Sequence, residues 1–178
     1  HQASKPVTPV AQPPAYPTST VPVAVGTNVP VVIPPTSQVQ VEASERVAQE
    51  NLRRQSLDFA ARLGTYASAD EFAGMKQVYI ETTPEVQAFL ETQRQDLIKT
   101  HATRGPSWGQ TARAVSSRIV SALPLSAHTD AEVIVQLQLS SGTETEAPVV
   151  SYKELVVHYM RFAGQWRVDR ITWQEFTP

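Results

Sequence analysis

The chain has 178 residues, and its 15 basic and 17 acidic side chains nearly cancel. The basic residues are scattered, with Arg53-Arg54 the only adjacent pair, which excludes the clustered surface that grips nucleic acid. Cysteine is absent, which excludes a disulfide framework, thiolate chemistry and a zinc ribbon.

Residues 1–41 carry one formal charge, Lys5, and nine of the fourteen prolines; at Glu42 the composition changes abruptly. Proline fixes φ, removes a donor and pushes its predecessor toward extended backbone, so this tail is expected to favour polyproline II at ~3 Å per residue. Its apolar section, which includes Val31, Val32 and Ile33, is either a plain linker or a docking segment that orders against a partner. Prolines 22 and 30 confine such docking to an edge or a groove. No run approaches the ~18 apolar residues of a spanning helix. The chain begins at His1 rather than Met, so it reads as a processed or excised piece with a membrane tether expected upstream.

Residues 42–178 read as a single α+β domain. Ser44 is placed as the N-cap of a first helix running to about Leu63, with Ala48, Leu52, Ser56, Phe59 and Leu63 as one stripe. Gly64 is expected to end it in a left-handed cap. Ser68 and Glu71 have the spacing of a capping box for a short second helix, whose apolar side is Phe72, Met75 and Tyr79. Thr83-Pro84-Glu85 combines a capping hydroxyl, a proline at the first helical position and an acid in the first turn. The third helix therefore runs to about Thr100 on a stripe of Val86, Phe89, Leu90, Gln93 and Leu97. Gly105-Pro106 closes the region.

After Gly109 the apolar period becomes alternating, which predicts strands at about 110–123, 131–140, 149–162 and 165–176. A three-residue loop around Ala163-Gly164, with Gly164 left-handed, would put Leu155, Val157, Ile171 and Trp173 on one face. The opposite face then collects Val150, Tyr152, Val156, Met160, Phe162, Trp166 and Val168. A sheet covered on one side normally shows polar residues on the other. This second apolar face is therefore covered either by loops and the tail or by another copy or a partner.

Three helices followed by four long strands, ending in the hairpin Gly164-Gln165-Trp166-Arg167-Val168-Asp169 and Ile171-Thr172-Trp173, resemble the nuclear-transport-factor-2-like superfamily. The resemblance implies three N-terminal helices packed on a bent four-stranded antiparallel sheet, a cone preceded here by a Pro-rich extended tail. With that tether, the layout is most similar to the periplasmic domain of the inner-membrane scaffold subunit of type IV secretion systems. In place of the Asn-Pro-x-Gly turn of typical members stands Arg104-Gly105-Pro106-Ser107. Some members of the superfamily are isomerases or dehydratases that use an Asp or His and a Tyr inside the cone. His158 with Glu154, Tyr159 with Asp169 opposite it, and Asp58, Asp96, His101 and His128 are the residues to weigh here. None forms a defensible catalytic or ligand spacing: His158 reads as an exposed or hydrogen-bonded sheet histidine, Asp169 as fixing the hairpin, Asp58 and Asp96 as solvated helix faces, and His101 and His128 as loop residues.

The resulting expectation is a non-enzymatic assembly module of the cell envelope, extracytoplasmic and membrane-anchored. It has protein partners and forms a homo-oligomer, without nucleic acid, cofactor or metal. Tyr152, Met160, Trp166, Val31, Val32 and Ile33 are its interface candidates. The alternative is a cone with an apolar pocket that binds a small ligand or acts as an isomerase or dehydratase.

Overall fold

A computed structural model describes residues 38–101 and 108–176. The tail positions Val31, Val32 and Ile33, the Gly105-Pro106 closure and the Arg104–Ser107 stretch lie outside the described residues.

The first helix, α1 (Gln38–Leu63), starts ahead of Ser44. Nothing between Gln38 and Val41 breaks a helix, and adding residues to a formed helix is cheap. Ser44 consequently lies inside it, its hydroxyl donating back to the Gln40 carbonyl at 2.6 Å. The expected stripe is the buried one: Leu52, Ser56, Phe59, Ala60 and Leu63 face the core, with Ala48 half-buried. A buried Leu or Phe of this kind is worth about 2 kcal/mol in transfer free energy.

Gly64 is a glycine for a different reason from the one expected. Its φ is not left-handed, and its N–H still reaches the Ala60 carbonyl at 3.0 Å. A Cβ placed there would lie 2.5 Å from the Ala112 methyl, so glycine lets the helix end rest on the sheet.

Next come a two-residue strand, β1 (Tyr66–Ala67), and two 3-10 stretches, Ser68–Asp70 and Ala73–Glu81, where an α-helix was expected. The Ser68–Glu71 capping box does not form: Ser68 Oγ donates to the Trp108 carbonyl at 3.0 Å, while Glu71 and Phe72 are both left-handed (φ 54° and 59°). Such a conformation costs a bulky residue roughly 1–2 kcal/mol, which burying the Phe72 ring offsets. The three-residue repeat Phe72, Met75, Val78 is buried, as suits the eclipsed positions of a 3-10 helix.

The helix α2 (Pro84–His101) starts where Thr83-Pro84-Glu85 predicts, with Gln87 N–H donating to the Thr83 carbonyl at 3.0 Å. The Thr83 hydroxyl makes no capping bond among the described residues. Its buried line is Val86, Leu90, Arg94 and His101, so Phe89, expected in the stripe, is 47% exposed. Arg94 tolerates burial because Glu91 takes its Nε and Nη2 at 3.0 and 2.7 Å and the Glu71 carbonyl takes Nη1 at 2.8 Å. His101 closes the helix rather than sitting in a loop, and its ring stacks on Trp108 at 4.0 Å.

The sheet is a curled antiparallel meander of five strands in the order β1-β2-β3-β4-β5, one more than expected because of the short β1. The long strands are β2 (Gly109–Ile119), β3 (Asp130–Gly142), β4 (Val149–Phe162) and β5 (Gln165–Glu175). Alternation is cleanest on β3, where Ala131, Val133, Val135, Leu137 and Leu139 are all buried. The helices pack on this face, α1 against β2 and β3 and α2 against β5.

The last hairpin reaches the expected facing by another route. Its loop has two residues, Ala163-Gly164, both with positive φ (48° and 83°), and Phe162 pairs Gln165. A bulge at Asp169 then shifts the register, so that Val157 meets Ile171 and Leu155 meets Trp173 as predicted. Between turn and bulge the parity is reversed. Val168, expected on the outer face, is buried opposite Tyr159, and Trp166, opposite Arg161, packs against the core.

Candidate functional site

The outer face of the sheet is the surface that sequence reasoning singled out, and it divides into apolar ends and a polar middle. At one end Tyr152 is 53% exposed, its ring 6.4 Å from Phe176. With Val115 these rings border a shallow hollow of about 210 Å³ floored by Leu137. At the other end of β4 lie Met160 and Phe162, both exposed. The apolar outer face of β4 is therefore real, but its neighbours dilute it. Glu132, Gln136 and Gln138 on β3, and Arg170, Thr172 and Gln174 on β5, stand beside its residues on the same face.

The middle is tied by side-chain hydrogen bonds. Ser116 Oγ donates to Gln136 Oε1 at 2.7 Å, and Gln136 Nε2 donates to Glu154 Oε1 at 3.3 Å. His158 Nδ1 is 2.5 Å from Asp169 Oδ1, and Nε2 is 3.9 Å from Asp130 Oδ2. Of the two alternatives the sequence left open for His158, exposed or hydrogen-bonded, the structure shows the hydrogen-bonded one. Asp169 is not opposite Tyr159: it occupies the bulge and turns to the outer face. Tyr159 points inward, its hydroxyl 3.0 Å from Ser56 Oγ, and burial pushes its phenol pKa up. The sheet separates the histidine–carboxylate pair from the tyrosine, so these groups do not converge on one reacting atom.

Trp166, proposed as an interface anchor beside Tyr152 and Met160, lies on the helix-bearing face. The Arg161 guanidinium covers its ring at 4.4 Å, and its carbonyl takes Gln55 Nε2 at 3.4 Å. Val31, Val32 and Ile33 are outside the described residues.

The centre of the cone is filled by its own side chains. Leu52, Phe59, Leu90, Leu137, Leu155 and Tyr159 are essentially inaccessible. A hollow of about 350 Å³ opens at the other end of the helices, walled by Leu63, Met75, Leu97 and Trp173 and rimmed by Gln93, Asp96 and Thr100. Asp96 is exposed there and pairs with Lys99 at 3.4 Å; Asp58 pairs with Arg62 at 2.9 Å. Among the described residues no group of three His, Asp or Glu side chains is arranged to hold a metal.

Two features were missed in the sequence. The His101–Trp108 stack, with Tyr66 and Phe72 against it, had a usable signal, because nothing stops α2 before Gly105. The bulges at Val115 and Asp169 had none, since an extra residue is accommodated by the pairing and not by local preference.

No protein-family model matches the sequence, and no curated protein matches it. Solved structures do match the fold. An IcmL-like type IV secretion system protein from Legionella pneumophila superposes with a TM-score of 0.57 at 10% identity, over 73% of this chain and 94% of that one. CagV, a VirB8 homolog of the type IV secretion system of Helicobacter pylori, superposes with a TM-score of 0.52 at 12% identity, over 74% of this chain and 99% of that one. The structural neighbours of this chain are therefore VirB8-like and IcmL-like type IV secretion proteins, and it shares with them the nuclear-transport-factor-2-like fold that its sequence resembles.

Proposed function

We propose that the chain is a non-catalytic assembly module of a cell-envelope secretion machine of the type IV kind, sited outside the cytoplasm. It acts by self-association and by contacts with partner proteins through the outer sheet face, with Tyr152 and Met160 as anchors. The observation that carries this reading is a fold shared over nearly the whole of two type IV secretion proteins. The filled cone centre and the separation of His158 from Tyr159 support a positional role over a chemical one. Among the described residues no helix is long and apolar enough to cross a membrane, so the anchoring in this proposal falls to a segment elsewhere.

The second reading, a small-ligand cone, rests on the hollow walled by Trp173 and Leu97. One experiment separates the two. The gene is deleted in the producing organism, type IV transfer is measured, and variants are returned at matched protein levels. On the assembly reading, deletion abolishes transfer, Tyr152→Asp fails to restore it, and Leu97→Trp, which blocks the hollow, restores it. Unimpaired transfer after deletion would sink the assembly role. Failure of Leu97→Trp with success of Tyr152→Asp would favour the ligand cone.

A further inference from the structure

The two edges of the sheet are treated differently. The free side of β5 is closed around Val168 by the chain entering α2. Thr82 bridges Val168, Thr83 N–H donates to the Val168 carbonyl at 2.8 Å, and Val86 and Phe89 line a hollow with Asp169–Ile171. The free side of β2 is closed only at its start, where β1 pairs Gly109 and Gln110 and Thr65 Oγ1 takes the Ala112 N–H at 3.1 Å. Beyond that point no described residue hydrogen-bonds the outer backbone edge of β2. Strand alternation sends the N–H and C=O of Ala114 outward, and those of Ser117 and Ile119 beyond the bulge. Unpaired groups of this kind are a template for another strand.

The side chains along this edge have one sign. Arg113 and Arg118 are exposed, neither has an ion-pair partner among the described residues, and β2 contains no acid. Their odd separation would put them on opposite faces of a regular strand. The bulge at Val115 cancels that offset. Arg113 stands opposite Gln138 and Arg118 opposite Ile134, four positions apart on β3 and both on the outer face. Val115 is exposed between them. The edge thus presents two arginines whose backbone positions are roughly 13 Å apart, in the repeat of an unbulged strand, with an apolar residue in the middle.

We propose that the free edge of β2 receives an extended segment of a partner protein, with two acidic side chains four residues apart and an apolar β-branched residue midway between them. The proposal deepens the assembly reading and rests on it for the existence of a protein partner. Main-chain hydrogen bonds to Ala114, Ser117 and Ile119 supply binding, and the arginine pair supplies register and choice of sequence. A second copy is the poorer occupant. Self-pairing would line up four arginines along one ribbon with no carboxylate on either β2, and like charges opposite one another are destabilising.

The test uses the full chain and two fluorescent peptides, acetyl-TTETVTETT-amide and the same peptide with lysine for glutamate. The expected result is at least about tenfold tighter binding of the glutamate peptide, a preference that Arg113→Glu with Arg118→Glu reverses. Hydrogen exchange at Ala114, Ser117 and Ile119 slows when the glutamate peptide binds; this readout on the unmodified chain stands even if the double variant folds poorly. Binding without slowed exchange overturns the strand-addition geometry. Failure of both peptides at millimolar concentration overturns the proposal, and aggregation of a folded double variant would then mark the arginines as edge guards. Protection of these amides that rises with protein concentration, without peptide, assigns the edge to a second copy and equally overturns it. Any of these negative results beside abolished transfer in the deletion strain leaves the assembly reading standing.

Discussion

Replacing Gly64 with alanine tests the contact that seats α1 on the sheet. The new methyl would lie 2.5 Å from Ala112 Cβ, 3.4 Å from the Ala60 carbonyl oxygen and 3.6 Å from Leu139 Cδ2. Only the first is a clash, but Ala112 Cβ is fixed by its backbone and has no rotamer to escape into. Restoring an ordinary carbon contact requires the helix end and β2 to part by about 1 Å, and overpacking of this kind typically costs 1–3 kcal/mol. The lower chain entropy of alanine returns about 0.5–1 kcal/mol. The expected net loss is about 1–2 kcal/mol, a fall in Tm of roughly 4–8 °C for a domain of this size. Ala112→Gly alone loses a half-buried methyl and stiffens nothing, for about 1 kcal/mol. The double variant removes the clash, so a double-mutant cycle in urea is expected to show a favourable coupling of about 1–2 kcal/mol. A left-handed cap would also make Gly64→Ala costly, but the two changes would then simply add. Additivity within about 0.5 kcal/mol, or a stabilised single variant, would refute the close-approach argument.

Two further outcomes are expected. Ser56 Oγ already donates to the Leu52 carbonyl at 2.7 Å, so the Tyr159 hydroxyl donates to Ser56 Oγ at 3.0 Å in a fully buried setting. Ser56→Ala strands that phenolic donor and costs about 1–3 kcal/mol, Tyr159→Phe costs about 1 kcal/mol, and the pair costs less than their sum; urea midpoints read all three. The Arg94 guanidinium, hydrogen-bonded to Glu91, holds the Glu91 carboxyl down at about 2. A folded pKa below the unfolded value of about 4.3 means its stabilisation is complete above that value and is lost as pH falls toward 2. Glu91→Gln is therefore less stable at neutral pH and converges on the parent near pH 2 in urea melts, and an unchanged gap across that window would count against the pairing.

Legibility differed by element. β3 could be read because Ala131, Val133, Val135, Leu137 and Leu139 alternate with polar residues, and one period fixes one buried face. The start of α2 could be read because Thr83-Pro84-Glu85 is a local instruction. Ser68–Glu71 looked equally local and failed. Burial of Phe72 and the Arg94–Glu71 carbonyl bond hold that turn in a left-handed form no cap rule anticipates. The outer surface was half legible. Tyr152 and Met160 are exposed on it, but Trp166 and Val168 are turned inward by the two-residue turn ahead of the Asp169 bulge, and exposed Phe89 was assigned to a buried stripe.

By itself the sequence determined the α+β order of elements, the strand boundaries within a few residues and the inward placing of Leu155, Val157 and Ile171 in the last hairpin, because periodicity and turn residues act over a few positions. Tertiary structure decided the rest: why Gly64 must be glycine, where Trp166 points, that His158 and Tyr159 lie on opposite sides of the sheet, and that Arg113 and Arg118 share a face. Each depends on strand pairing or on the distance between elements far apart in the chain. A single extra residue in a ladder reverses every side chain beyond it, and no local preference records that.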